Sequence, residues 1–467
     1  MAIPSTVLID RFQAPRRTSD WQAADRQHHL HPFTDHPAMH AAGARIFTRG
    51  DGVHLFDSQG NRYLDAMSGL WCVNLGYNRQ EIIDAATRQM SELAYASSFF
   101  EATHPAAIRL ATHLSTLLPM PDTRVLFTNS GSEANDTIVR MVRRYWEVVG
   151  QPQRIVMISR RNAYHGSTLA AASLGGFASM HAQGGLPLPD FLHIREPHWS
   201  RYAREMDAEE FGIEAARDLE ACILRVGPER IAAFFGEPVQ GAGGVIVPPK
   251  SYWPEIQRIT DRYGILLVAD EVICGFGRTG QWFGSETFGF TPDLMAMAKG
   301  LSGGYQPIGA VMVGTRVGEQ VFDTGEFEHG FTCAGHPVAC AVADTVLTIM
   351  EREGVVRKVT ERLAPHFRSE WLTLADHPLV DDARICGLMA AIDLRAGRAS
   401  SDSRKAGALA TTCRESCLRR GVIVRVESDT LIVAPPLVSS AAQLSDIVAV
   451  IHAALDEVLR SLRRCER

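Results

Sequence analysis

Lysine is scarce in this 467-residue chain: it stands at positions 250, 299, 358 and 405, against 43 arginines. A lysine closing an apolar run in Met295 to Gly304, "MAMAKGLSGG", therefore asks for a reason. Arginine stays charged, whereas a desolvated lysine can lose its proton and act as a nucleophilic amine. Lys299 fails as a P-loop lysine, because Asp293 and Ala298 stand where that motif needs glycines and Gly300 where it needs Ser or Thr. As an amine forming a Schiff base with an aldehyde it fits, with Gly300, Gly303 and Gly304 expected to leave room for a flat ligand. The competing reading is a lysine that merely reaches solvent from a strand end.

Three further groups fall at the ends of apolar runs. "LFTNSGSEAND" passes through Ser130, Gly131 and Ser132 straight into a helical pattern, so amides at a helix start could take a phosphate dianion. Its structural alternative is a capping box, Ser130 with Glu133, that binds nothing. "ILLVADEVICGFGRTG" delivers Asp270 and Glu271 to a strand end, where one of the two should meet a fixed positive charge or a strong donor. A metal ion, a protonated heterocyclic nitrogen, a buried arginine or a Walker B site would each suit. "RNAYHGST" places Tyr164 and His165 after another run, where a ring could cover a flat ligand or simply close the core. Together, an imine-forming lysine, a carboxylate, a phosphate cradle and a stacking ring make the inventory that pyridoxal 5'-phosphate requires.

These groups need rigid elements behind them. From about 125 to 315 short apolar runs ("RVLFT", "RIVMIS", "FLHI", "IAAFFGEPV", "ILLVADEV", "LMAMAK", "IGAVMVG") alternate with helical stretches such as "EANDTIVRMVRRYWEVV" and "YWPEIQRITDRY". That alternation predicts an α/β fold with a mainly parallel sheet buried on both faces and its binding residues past the strands' carboxyl ends. "VHLFDSQGNRYLDA" predicts a hairpin, residues 1–35 a polar arm, and the last third an α+β unit containing "RICGLMAAIDL", a helix near 404–420, "VIVRV" and "LIVAPPL". The expected organisation is an arm and hairpin over 1–70 belonging to a small domain, a large cofactor domain over 71–332, and the rest of the small domain over 333–467.

Composition narrows the partners. Net charge is −6 without a long basic run, which disfavours nucleic acid and anionic membranes. Nine cysteines without a C-x-x-C pair suit reduced thiols in a cytoplasm, and the start "MAIPSTVLIDRFQAPRR" lacks the order of a signal peptide. The histidines at 28, 29, 31, 36 and 40 lack H-E-x-x-H spacing, prolines 32 and 37 interrupt them, and no metal site is expected there.

The motifs "DAMSGLWCVNLGYNR", "TNSGSEANDT", "NAYHGST", "GEPVQGAGGVIVPP", "DLMAMAKGLSGGYQPIGAV", "FTCAGHP" and "IVAPPL" give the chain, from about residue 28 onward, a resemblance to class III pyridoxal-phosphate aminotransferases of the omega-amine:pyruvate group, including those that use putrescine or other polyamines. The resemblance implies the aspartate aminotransferase-like fold, type I, and a homodimer, or a tetramer built from it, with active sites at the subunit interface. It casts Lys299 as the Schiff-base lysine and Asp270 as partner of the pyridine nitrogen. Ser130, Gly131 and Ser132 become the phosphate cradle, Tyr164 and Val272 the two faces of the ring site, and His165 and Glu237 neighbours of the cofactor. Thr332 would reach the phosphate of the neighbouring subunit's cofactor. Phe33, Trp71, Phe99, Ala242 and Ile273 would line the substrate pocket, and Arg425 would meet a substrate carboxylate and withdraw for an uncharged amine. The implied activity carries the amino group of a terminal amine to pyruvate, giving an aldehyde and alanine. The alternatives are a decarboxylase or aminomutase of the same fold, or a non-catalytic regulator. Cys333 and Ala334, and Ala96 and Ser97, replace larger or hydroxyl-bearing residues of relatives and are expected to enlarge the pocket.

Overall fold

The structure is a computed structural model that describes residues 17–120, 122–395 and 407–465; the chain start through Arg16, Lys405 and the side chain of Cys465 fall outside these. A short hairpin set comes first, with β1 (Phe47–Asp51), β2 (His54–Asp57) and β3 (Arg62–Asp65) antiparallel in turn. The β2–β3 turn lies where Gln59-Gly60-Asn61 predicted it. Asp57 Oδ1 fastens it by accepting from the amides of Gln59 and Asn61 at 2.9 and 3.0 Å.

The apolar runs of the middle of the chain form one seven-stranded sheet. They are β4 (Arg124–Thr128), β5 (Val156–Arg160), β6 (Phe191–Ile194), β7 (Ile231–Gly236), β8 (Leu266–Asp270), β9 (Leu294–Met297) and β10 (Gly309–Val313), in the order β4-β10-β9-β8-β7-β5-β6. Every residue of β5, β7, β8, β9 and β10 is buried, which is why these strands read as continuous apolar runs rather than alternations. Neighbours from β9 through to β6 pair in parallel, while β10 runs antiparallel to both β4 and β9. The helix Gly131–Val148 covers the sheet with Ala134, Ile138, Val139, Val142 and Trp146 on its buried side.

The last third adds β11 (Val380–Cys386), β12 (Met389–Leu394), β13 (Val422–Ile423), β14 (Arg425–Glu427) and β15 (Thr430–Val433). Here the structure refines the sequence reading. "RICGLMAAIDL" is a hairpin, β11 against β12. "VIVRV" divides at Val424 between two sheets: β13 pairs in parallel with β3, and β14 forms the edge of a sheet ordered β11-β12-β15-β14. Periodicity sees only the apolar residues of "VIVRV" and not a change of partner. In the arm, Thr18–His28 is a helix with no buried residue, so its apolar spacing carried no signal. Among the described residues no helix is long and apolar enough to cross a membrane.

Candidate active site

The carboxyl ends of β8 and β9 lie beside the start of the helix Gly131–Val148, around a cavity of about 360 Å³. Ser130, Gly131, Ser132, Tyr164, His165, Glu237, Asp270, Val272, Ile273 and Lys299 all line it, so five separate sequence motifs converge there.

Asp270 ends β8 and is 3 % exposed. Its Oδ2 accepts from Asn135 Nδ2 at 2.8 Å and faces His165 Nδ1 at 2.7 Å, while Oδ1 accepts from the Val272 amide at 3.1 Å. With Nδ1 against this carboxyl, the buried Nε2 of His165 is left without a partner among the described residues. Asn135 also donates to the His165 carbonyl at 2.8 Å, locking the two together. The next residue, Glu271, turns away: it accepts from the amides of Gly284 and Ser285 at 2.8 and 2.7 Å, and burial pushes its carboxyl up to about 7. The strand therefore splits its two acids between a site and a structural anchor.

Lys299 follows β9 in a left-handed backbone conformation (φ 46°), which turns it out of the strand. Burial pushes its ammonium down from the ordinary lysine value and Arg425 adds to this, against Asp270 and Glu237. The glycines beside it serve the protein more than a ligand. A Cβ on Gly300 would lie 2.5 Å from Asn74 Nδ2, so Gly300 is needed for packing, and only Gly304 of the three lines the cavity.

Ser130 caps the helix, its Oγ accepting from the Glu133 amide at 3.2 Å, and Glu133 accepts in return from the Asn129 amide at 2.7 Å. The capping arrangement exists, and it leaves the first-turn amides of Gly131 and Ser132 without intrahelical acceptors. A Cβ on Gly131 would come within 2.9 Å of Val272 Cγ2, so only glycine keeps the cradle open beside that wall. Tyr164 donates its amide to Glu237 Oε1 at 3.1 Å, and Glu237 also accepts from the Gly241 amide at 2.9 Å. Burial raises the Glu237 carboxyl, with Asp270 acting the same way. A phosphate-bearing pyridine fits these groups: amides for the phosphate, an orphaned imidazole and a fixed carboxylate for the ring, and an amine for its aldehyde.

A second cavity, of about 470 Å³, shares Tyr164, Ile273 and Lys299 with the first and is also lined by Phe33, Trp71, Ala242 and Arg425. Phe33 is 77 % exposed and meets Tyr164 edge-on at 6.3 Å, while Trp71 is 1 % exposed. Phe99 and Thr332 are elsewhere. Phe99 lines a separate cavity of about 460 Å³ with Ala334, and Thr332 is exposed, its carbonyl accepting from Tyr95 at 2.9 Å. Thus the departures at Ala334 and Ser97, whose Oγ accepts from the Phe99 amide at 3.0 Å, surround Phe99 rather than Lys299 within this chain.

Sequence reasoning passed over Asn135, Leu70, Phe177, Met180 and Glu427. Asn135 had a readable signal, an amide on the buried side of an amphipathic helix. The others come from two four-residue helical segments, the residue capping one of them, and an edge strand, all too short to show periodicity. In the arm, His29 Nδ1 and His31 Nε2 both meet the Asp25 carboxylate, at 3.0 and 2.9 Å, and His36 Nε2 accepts the His31 amide at 2.9 Å. These histidines hold together the segment leading to Phe33. A second cluster, His198, Asp382 and Asp393, encloses the Arg384 guanidinium, which donates to both acids at 2.8 Å.

The family described as aminotransferase class-III matches residues 37–455. The putrescine–pyruvate aminotransferase of Pseudomonas aeruginosa is 49 % identical over 441 residues, covering 94 % of this chain and 97 % of that one. The mitochondrial gamma aminobutyrate transaminase 1 of Solanum lycopersicum is 40 % identical over 435 residues, with 92 and 84 % covered. Among solved structures, the omega transaminase of Pseudomonas jessenii in complex with PMP superposes with a TM-score of 0.91 at 43 % identity, covering 94 % of this chain and 98 % of that one.

Proposed function

Because the chain belongs to the class III aminotransferases, pyridoxal-phosphate enzymes of fold type I, we propose that it passes the amino group of a terminal amine to pyruvate, leaving an aldehyde and alanine. An α,ω-diamine such as putrescine is the foremost donor, followed by longer polyamines and omega-amino acids, in line with what the relatives' names record. The observation that carries this reading is the meeting of Lys299, Asp270 and the Gly131–Ser132 amides on one cavity that opens beside a second, largely apolar one.

Bound pyridoxal phosphate supplies the carbonyl that carries the amino group and the ring that accepts electrons. Asp270, fixed by Asn135 and His165, would hold the positive charge of its ring nitrogen. The amides of Gly131 and Ser132 and the Ser132 hydroxyl would take its phosphate, and Tyr164 and Val272, which line the same cavity, would hold its ring. Lys299 is the mobile base: its Nζ, biased by burial toward the neutral form, removes a proton from the carbon bearing the amino group and later returns one. Arg425 binds the carboxylate of pyruvate. The apolar walls around Phe33, Trp71, Ala242 and Ile273 exclude water and take the donor's methylenes.

Phe99 and Thr332, neither of which lines the cavities beside Lys299, are assigned to the neighbouring subunit's site in a homodimer. We assign the enzyme to the cytoplasm, a compartment that suits nine cysteines with no C-x-x-C pair among them. Alanine formation from pyruvate, followed across diamines, monoamines and omega-amino acids, tests the reading; no alanine with any of them would sink it.

A further inference from the structure

The cavity of about 470 Å³ beside Lys299 is walled mainly by apolar side chains, and the charged ones in its lining are Lys299, Arg425 and Glu427. Glu427 has no part in the chemistry described above. It is the last residue of β14 and Arg425 the first, so strand alternation sets both on one face; Val426 between them is partly buried against the core and also borders the cavity. Arg425 Nη2 and Glu427 Oε2 stand 3.6 Å apart, too far for a hydrogen bond, and among the described residues neither side chain makes one. With 29 and 34 % of their side-chain surfaces exposed, the two form a loose pair that opens at little cost. Because β14 pairs only with β15 among the described residues, the pair sits on a sheet edge where side chains have room to swing.

This inference rests on the donor class proposed above. An α,ω-diamine is a dication near neutral pH, since alkylammonium groups ionise like lysine. When one end reacts at Lys299 the other remains an ammonium, and burying it among apolar walls beside a guanidinium would be costly without an anion. We infer that Glu427 is that anion: it takes the distal ammonium of a diamine donor, whereas Arg425 takes the carboxylate of the keto acid. The two residues alternate. Either substrate parts the pair and satisfies one member, so a single cavity accepts a cation-tailed donor and an anionic acceptor in turn. A neutral-tailed amine leaves the pair closed and gains nothing from Glu427.

The test compares 1,4-diaminobutane with 1-butylamine, which has the same chain without the distal charge, in wild-type holoenzyme, Glu427→Gln and Glu427→Asp. Glu427→Gln should raise KM for the diamine about tenfold or more with kcat little changed, the loss expected for one charge-assisted hydrogen bond. It should leave kcat/KM for butylamine within about twofold and should not raise KM for pyruvate. Glu427→Asp should recover part of the diamine loss. Calorimetric titration of the holoenzyme with each amine, without any acceptor, reads the same preference independently of pyruvate. Equal losses for both amines, or a diamine preference unchanged by Glu427→Gln, would overturn the assignment. Absence of alanine from pyruvate with a preserved calorimetric preference would instead overturn the proposed acceptor and leave Glu427 in its role.

Discussion

At the scale of single residues, the site depends on one amine whose proton is loosened and one carboxylate whose position is fixed. Replacing Lys299 with Ala should lower kcat by at least about 10²- to 10⁴-fold, the range for losing a positioned acid–base group, and abolish the visible absorbance that signals attachment of the cofactor to the protein. Stopped-flow and absorbance spectra check this, and a variant turning over at the wild-type rate would remove Lys299 from the mechanism. Asn135 touches neither amine nor acceptor, yet it holds Asp270 and the His165 carbonyl. Asn135→Leu should therefore weaken retention of the cofactor and slow turnover, and Asn135→Asp, which removes the donor and sets a second carboxylate against Asp270, should do so at least as much; dialysis against cofactor-free buffer followed by absorbance reads the first effect. Lys299 could be found from the sequence because its residue type was rare and its place at a strand end was specific. Glu427 could not, because a glutamate directly before a turn looks like ordinary surface until β14 is seen to border the cavity.

At the scale of elements, β8 shows how one strand end serves two purposes. Asp270 faces the cavity, and Glu271 is bonded by two amides of the segment that follows. A folded-state value of about 7 stands above the ordinary glutamate value of 4.5, so the native state binds the extra proton. Its contribution is then fully present below about pH 4.5 and is lost as pH rises through 7, by roughly 3 kcal/mol at most. Urea unfolding of the wild-type enzyme between pH 5 and 8 should show this fall, and Glu271→Gln should flatten it. Asp393, held well below the carboxylate range despite its burial by His198, Arg384 and Thr430, acts in the opposite sense, losing its contribution only in acid. The apolar runs of β5 and β7 to β10 were legible because burial on both faces leaves an unbroken pattern. The switch of sheets between β13 and β14 was not, since a two-residue strand and a three-residue strand carry too little pattern to name their neighbours.

At the scale of the whole molecule, the three sheets are tied by charged groups as well as by the core. Arg384 on β11 donates to the carbonyls of Gly244 and Val245, in the segment after β7, and to Asp382 and Asp393 of its own sheet. Arg384→Met leaves those acids and carbonyls without a donor and should destabilise the fold by about 3–5 kcal/mol, seen as a lowered thermal midpoint. The proposed dimer makes a sharper prediction. Light scattering should give twice the 51.3 kDa chain mass. If Thr332 serves the neighbouring site, Lys299→Ala and Thr332→Ala subunits, each weak alone, should regain activity when mixed and reassembled, because one site of each mixed dimer has both residues intact. No gain on mixing would place Thr332 in its own subunit's business or in none. The resemblance to known enzymes reached this scale, whereas periodicity did not: no spacing rule says which residues of a chain will face another copy.

The parallel ladder between β3 and β13 joins Leu64 to Val422 and Asp65 to Ile423. On the ribosome, β3 emerges early and its partner near the end, so during most of synthesis β3 has an unpaired edge. A truncation before Val422 would make that exposure permanent. Nascent chains stalled short of this point should bind holdase chaperones and yield to proteases, whereas those released after it should not. The same ladder closes the chain into a loop that begins and ends on one small sheet, so joining new termini elsewhere would alter the order of synthesis without altering the contacts.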